Sequence, residues 1–176
     1  MSADSPVTPG TPGAGPRRGP REVLDLFHRA MLALSADDLA ELYAVDGVHE
    51  FPFLFPGMPP RYEGREEIRA GYAAVWGASP ARPRRIEEIA VHQGADSEVI
   101  VAEHVVTGTL ASDGLPFAFP GLLVLRIRDG LIVHARDYMD GLAVAHRMGR
   151  LEAVAARFSE PGDGSGDGSG SGDDRS

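Results

Sequence analysis

The fold class is decided by one stretch in the second half of the chain, Phe117-Ala-Phe-Pro-Gly-Leu-Leu-Val-Leu-Arg-Ile-Arg-Asp-Gly-Leu-Ile-Val-His-Ala-Arg-Asp-Tyr-Met139. Aliphatic, β-branched and aromatic residues dominate both halves of this stretch, which is typical of β-strands. Asp129-Gly130 between the halves tolerates the positive φ angles of a tight hairpin turn. The stretch therefore predicts two antiparallel strands, roughly Phe117 to Arg128 and Leu131 to Met139.

Two more strands are predicted immediately before this hairpin, roughly Arg84 to His92 and Glu98 to Thr109. Gly94 and Asp113-Gly114 provide the turns, so the four strands should be sequential and antiparallel. A further strand, Val45 to Leu54, is predicted earlier in the chain and is followed by a proline-rich loop.

The first part of the chain and its last ordered part show helical periodicity instead. Apolar residues recur at helical spacing over Arg21 to Leu34, Ser35 can cap a short second helix, and a third helix opens after Gly64. One last helix is predicted over Gly141 to Phe158. Helices followed by a mostly antiparallel sheet predict an α+β domain, with helices on one face of a curved sheet that encloses a pocket.

The chain ends are low in apolar residues and rich in Pro, Gly, Ser, Thr and Asp. Such segments bury too little apolar surface to offset the entropy lost on ordering. We therefore expect disordered tails over 1–20 and 160–176 and one domain over 21–159. The 176-residue length and 43% hydrophobic content suit a single core.

Composition excludes several classes of function. The chain has no cysteine and no lysine, which removes zinc-thiolate sites, cysteine nucleophiles and Schiff-base chemistry. Its formal net charge of −9 disfavours nucleic acid and anionic membranes as partners. The histidines show no metal-ligand spacing, so no metal is expected.

Without a signal peptide or an apolar run long enough for a membrane span, a cytoplasmic location is expected. The arginine-only basic residues suit a GC-rich bacterial genome.

Three segments resemble SnoaL-like proteins of the nuclear transport factor 2-like superfamily, in the order and spacing of that family. They are Glu50 to Arg69, Val101-Ala-Glu-His-Val-Val-Thr-Gly108 and Asp129-Gly-Leu-Ile-Val-His-Ala-Arg-Asp-Tyr-Met-Asp140. The resemblance implies a cone-shaped domain with a small-molecule pocket between helices and sheet. It also implies a homodimer, for which outer-face residues such as Val101 and Val105 would provide apolar surface.

Two groups of relatives carry catalytic patterns that this chain lacks. Phe51 stands where ketosteroid isomerase has its catalytic aspartate, and a phenyl ring cannot transfer a proton. Asp137 matches the last aspartate of limonene epoxide hydrolase, but His104 and Val106 occupy the positions of that enzyme's arginine and first aspartate. Chemistry of either kind by those residues is disfavoured.

A third comparison is with the SnoaL-like polyketide cyclases and the phenazine-biosynthesis proteins, which use an acidic residue and a histidine in an otherwise apolar pocket. The resemblance places Asp137 at the acidic position, and His104 would supply the histidine from another strand. If both side chains share the concave face, they would form a hydrogen-bonded pair that holds a proton near neutral pH. In the alternative interpretation, Asp137 is a structural partner of Arg126 or Arg136 and His104 is a core histidine.

Other candidate pocket residues follow from strand and helix patterns. Phe51, Trp76 and Phe119 are candidates for the pocket wall. His49 and Glu50 point to opposite faces of their strand, so at most one of them can enter the pocket as a substrate-binding group.

The leading hypothesis is a cyclase, isomerase or hydratase that performs acid/base chemistry on an apolar metabolite without a cofactor, using Asp137 and His104. Two alternatives stay open. The same cavity would serve a non-catalytic binding module, and the same sheet would serve a dimerisation domain.

Overall fold

The computed structural model describes residues 18–53 and 59–159 of the chain. Along the chain the elements are α1 Pro20–Ala33, α2 Ala36–Ala40, β1 Tyr43–Glu50, β2 Arg61–Glu63, α3 Arg65–Ala78, β3 Ala81–Gln93, β4 Val99–Leu110, β5 Pro116–Arg128, β6 Leu131–Met139, α4 Gly141–Arg147 and α5 Leu151–Ser159. The predicted α+β class is confirmed, with helices and one curved, unclosed sheet.

The six strands form one sheet in the order β2-β1-β6-β5-β4-β3. All neighbouring pairs are antiparallel except β1 and β6, which are parallel. His49 of β1 pairs with Ala135 of β6. This long-range pairing brings the end of the first strand beside the end of the last one, which is where the candidate site lies.

The core fills the space between α1, α2, α3 and one face of the sheet, here called the inner face. α1 presents Val23, Leu24 and Phe27 to this face, and each is fully buried. The sheet contributes residues at alternating positions of the central strands, as a one-sided sheet requires. These are Ile100, Ala102, Leu123, Leu125, Ile132 and Ala135.

Local signals set the helix boundaries. α1 begins with Pro20, whose missing N–H suits a first helical position, and ends where Leu34 adopts a left-handed conformation with φ 52°. The predicted cap of the second helix is present, because the Ser35 side chain accepts a hydrogen bond from the Asp38 N–H.

The structure corrects the prediction in three places, and the first two concern the end of β1 and the chain that follows it. β1 ends at Glu50 and not at residue 54, because Pro52 has no N–H to continue a ladder. The chain then returns as the short strand β2, whose pairing with β1 was not predicted, and the Phe51 N–H donates to the Pro60 carbonyl.

The predicted last helix is two helices. Gly149 adopts φ +65°, its N–H donates to the His146 carbonyl, and the Arg150 N–H donates to the Ala145 carbonyl. These two bonds make a Schellman motif, which ends α4 and redirects the chain into α5.

The predicted tails lie outside the described residues, apart from residues 18–20. Among the described residues, no helix combines the length and the apolar character that a membrane span needs.

Candidate functional site

A cavity of about 150 Å³ lies between the inner face of the sheet and the helices α1, α3 and α4. Val144 of α4 and Met148 just after that helix line it, as do Met31 of α1 and Leu34 just after α1. Aromatic and aliphatic side chains make up most of its wall. They include Val75, Trp76, Val106, Phe117, Phe119 and Met139.

Asp137 of β6 is an acidic group in this apolar wall, and it is 6% exposed. Among the hydrogen bonds of the described residues, none involves its carboxylate, and no arginine pairs with it. Arg126 pairs with Asp96 and Glu98, and Arg136 with Glu50. Burial without compensation raises the pKa of Asp137 to about 7. The structural alternative for Asp137, an arginine ion pair, is therefore not the arrangement found.

His104 of β4 also lines the cavity and is buried. Burial, with a smaller contribution from nearby His28, lowers the pKa of His104 to about 4, so its imidazole is neutral at neutral pH. Its Nδ1 has no hydrogen-bond partner among the described residues. The His28 ring contacts it edge-on with centroids 5.3 Å apart, and Glu88 Oε1 lies 3.4 Å from His28 Nδ1.

The expected hydrogen bond between His104 and Asp137 is not formed, although both line one cavity. β5 separates their strands, with His104 paired to Gly121 and Asp137 paired to Leu123. Two inter-strand spacings place their backbones about 10 Å apart. Gly121 keeps the gap open, since a Cβ there would lie 3.1 Å from His104 Nε2. A ligand can therefore lie between the two groups.

His49 lies behind Asp137 and away from the cavity wall. Its ring is fully buried, and its Nε2 is 4.0 Å from Asp137 Oδ2. Its Nδ1 lies 2.6 Å from the Tyr43 hydroxyl and its Nε2 lies 3.0 Å from the Tyr72 hydroxyl. Burial, together with the charge of His134, lowers the pKa of His49 to about 3, so this imidazole is neutral too.

Glu50 faces the other side of the sheet, here called the outer face. Its Oε2 lies 3.0 Å from His134 Nε2 and 3.3 Å from Arg136 Nε. Burial by itself would raise the pKa of Glu50, but the contacts with His134 and Arg136 outweigh burial and leave this pKa below its usual value. The prediction of Glu50 as a pocket acid is corrected by this geometry, because strand alternation turns it away once His49 faces inward.

The predicted wall residues divide into two groups. Trp76 and Phe119 line the cavity, whereas Phe51 packs behind it with its ring 4.6 Å from that of His49. Sequence reasoning missed Tyr43 and Tyr72 as partners of His49. Tyr72 was on the predicted inward stripe of α3, but nothing local indicates which strand histidine it meets. No cluster of three or more His, Asp or Glu side chains suited to a metal ion occurs in the described part of the chain.

Comparison with known proteins gives this site a family context. A profile of the SnoaL-like domain matches residues 23–135. The chain is 32% identical over 133 residues to the uncharacterized protein YesE of Bacillus subtilis, covering 73% of this chain and 86% of that protein. It is 31% identical over 119 residues to an uncharacterized PhzA/B-like protein of Pseudomonas aeruginosa, covering 65% of this chain and 79% of that protein.

Solved structures give the same context. A candidate isomerase from Bacillus subtilis superimposes with a TM-score of 0.67 at 31% identity, over 74% of this chain and 92% of that one. A Catenulispora acidiphila protein with a ketosteroid isomerase-like fold superimposes with a TM-score of 0.61 at 23% identity, over 75% of this chain and 95% of that one. The fold is therefore the cone of nuclear transport factor 2-like proteins, and the chain belongs to the SnoaL-like domain family.

Proposed function

We propose that the protein is a cofactor-free enzyme of isomerase or cyclase type, which moves a proton on a small apolar carbonyl compound bound between Asp137 and His104. The observation that carries this proposal is the buried Asp137 carboxyl, which meets an apolar cavity without any compensating cation. Isolated buried carboxyls are costly to stability, and groups with strongly shifted pKa values concentrate at functional sites.

The electrostatics of the two groups suit complementary roles. A carboxyl whose pKa is about 7 is present in both protonation states at neutral pH, as a general acid/base requires. Ionised Asp137 removes a proton from the carbon next to the substrate carbonyl and returns it to another carbon, so the carboxylate is regenerated. Neutral His104 donates an N–H to the carbonyl oxygen, where negative charge develops.

The cavity also limits the substrate. An apolar protein cavity of about 150 Å³ accommodates a molecule the size of benzene. Its walls carry few polar groups besides Asp137 and His104, so a charged ligand would lose its hydration without compensation. The substrate class that fits is an uncharged molecule with one six-membered ring and one carbonyl group.

The test uses 3-cyclohexen-1-one, whose isomerisation to the conjugated enone requires transfer of one proton between two carbons. Wild-type protein should accelerate this conversion, followed by proton NMR. Asp137→Asn should lower the rate by about 100-fold or more, because it removes the proton acceptor. The exposed Asp46→Asn variant makes the same charge change elsewhere and should retain the wild-type rate.

The same experiment can disprove the enzyme proposal. If the ketone binds but is recovered unchanged, or if Asp137→Asn turns it over as fast as wild type, the enzyme proposal is wrong. Binding without turnover would instead favour the carrier or sensor interpretation of the same cavity.

We further propose that two copies pair through the outer face of the sheet. A wide apolar concavity of about 1200 Å³ lies on this face, lined in part by Val105, Leu122 and Val124. Phe53, Ile89 and Leu142 border it and are 59–63% exposed. An apolar area of this kind favours association, because monomeric soluble proteins rarely leave such patches uncovered.

A further inference from the structure

A buried hydrogen-bonded chain of three side chains ends beside Asp137. Tyr43 and His49 are fully buried and Tyr72 is 6% exposed. The Tyr43 hydroxyl lies 2.6 Å from His49 Nδ1, and the Tyr72 hydroxyl lies 3.0 Å from His49 Nε2. The Nε2 end of the imidazole faces Asp137, at 4.0 Å from Oδ2. No step assigned above to Asp137 or His104 uses this chain.

Counting donors gives the chain a direction. A neutral imidazole carries one N–H, so one tyrosine must donate to His49 and the other must accept from it. If Tyr43 accepts, its own hydroxyl hydrogen has no acceptor among the described residues, although this side chain is fully buried and out of reach of water. If Tyr43 donates to Nδ1, then His49 donates from Nε2 to Tyr72, and the Tyr72 hydroxyl hydrogen is free to reach Asp137. The second arrangement is favoured because the one hydroxyl hydrogen left over then belongs to Tyr72, the tyrosine bonded to the Nε2 end of His49, which is the end that faces Asp137.

We propose that Tyr43, His49 and Tyr72 are positioning residues, whose directed hydrogen-bond chain donates to Asp137 when its carboxyl ionises. The proposal rests on the proposed function, in which Asp137 exchanges a proton with the substrate. The hydrogen-bond chain would control how readily that exchange occurs. Burial and the charge of Asp137 raise the pKa values of both tyrosines well above the usual value, so both remain hydrogen donors at neutral pH. The chain carries no charge and acts on Asp137 only by hydrogen bonding.

The other residues around Asp137 are apolar or uncharged, so we assign the hydrogen bond to its carboxylate to the Tyr43–His49–Tyr72 chain. β5 places Leu123 opposite it, and α4 contributes Val144 to the same cavity. On β4, His104 faces Asp137 across the cavity as a neutral group. Phe27 of α1 stacks on His49 at 6.5 Å and carries no charge. Among the described residues, the titratable groups that face Asp137 are therefore His104 and the three members of the chain.

The test is a direct titration of Asp137 by carbon-13 NMR of its side-chain carboxyl in the full-length protein. Tyr72→Phe should lower the acid dissociation constant of Asp137 about tenfold or more, because hydrogen bonds to charged groups are the strong ones. Tyr43→Phe should lower it in the same direction, since His49 then loses the bond that fixes its tautomer. Tyr62→Phe is the matched control: Tyr62 is buried in the same aromatic cluster and contacts the Tyr72 ring, but its hydroxyl makes no bond to His49.

Two results would overturn the proposal. In the first, Tyr72→Phe titrates like the wild type and the Tyr62→Phe control. In the second, Tyr72→Phe shifts the titration but Tyr43→Phe does not, so that no chain connects them. Nitrogen-15 NMR of His49 in the wild-type protein needs no variant: protonated Nε2 with unprotonated Nδ1 is expected, and the reverse tautomer contradicts the chain.

Failure of the proposed function gives a different result. If Asp137→Asn leaves turnover of 3-cyclohexen-1-one unchanged while Tyr72→Phe still shifts the titration, the chain stands and the enzyme proposal fails. If Asp137→Asn abolishes turnover while the titration and the tautomer contradict the chain, the enzyme proposal stands alone.

Discussion

At the scale of single residues, the site is defined by buried titratable groups whose pKa values burial shifts toward their neutral forms. His49 and His104 are neutral because burial lowers their pKa values, and burial alone raises that of Asp137. An aspartate in such a place weakens the fold whenever it ionises. Its presence is therefore better explained by function than by stability.

The first prediction concerns the pH dependence of stability. The pKa of Asp137 is raised from 3.8 to about 7 on folding, so its favourable contribution is complete below about pH 4 and is lost as pH rises to about 7. This loss amounts to up to about 4 kcal/mol. Asp137→Asn removes this pH-dependent loss of stability. Relative to the wild type, the free energy of unfolding of the variant should therefore increase between pH 4 and pH 8, as measured by urea titration. Parallel pH profiles of Asp137→Asn and the wild type would contradict the prediction.

The second prediction concerns the gap between the two polar groups. In Gly121→Ala the new Cβ would lie 3.1 Å from Nε2 of His104, within the cavity wall. We expect a loss of about 1–3 kcal/mol from overpacking, together with weaker binding of 3-cyclohexen-1-one in NMR titrations. Gly94→Ala, at a position with no atom within 4 Å of the added carbon, should leave both unchanged.

At the scale of elements, the site depends on which strands become neighbours. β1 and β6 are far apart in sequence, yet their parallel pairing sets His49 beside Ala135 and hence next to Asp137. β5 then separates Asp137 from His104 and creates the space for a ligand. α4 closes this space, and the Schellman motif at Gly149 fixes where α4 stops.

The third prediction compares two glycines at helix ends. Gly149→Ala places a Cβ on a residue with φ +65° and should lower stability by about 1 kcal/mol. Gly77→Ala adds a methyl group in open space within α3, where alanine is the better helix former, and should raise stability by about 0.5–1 kcal/mol. Opposite shifts of the thermal midpoint are expected, and shifts of equal sign would contradict the assigned conformations.

At the scale of the whole molecule, the sheet has two unlike faces. The inner face holds the core and the small cavity, and the outer face holds the wide apolar concavity. The described structure thus has a candidate ligand site on one side of the sheet and a candidate surface for association on the other.

The fourth prediction tests that surface. Ile89→Glu places a charge on the outer concavity, where Ile89 is 59% exposed in the single chain. Sedimentation should show a dimer for the wild type and a monomer for the variant, because a charge buried in an apolar contact costs several kcal/mol. Leu115→Glu alters an exposed leucine that does not line the concavity and should remain a dimer. A monomeric wild-type protein would refute the association proposal.

The sequence alone determined the order of elements, the α+β class and the family resemblance, because periodicity, turn residues and caps act over a few neighbouring residues. It also gave Asp137 and His104 as candidates for one pocket, on the condition that both side chains share the concave face. Only the tertiary structure decided that β5 lies between them, that His49 and not Glu50 turns inward, and that Tyr43 and Tyr72 meet His49. The reason is that strand order and register across the sheet depend on long-range pairing, which no local pattern encodes.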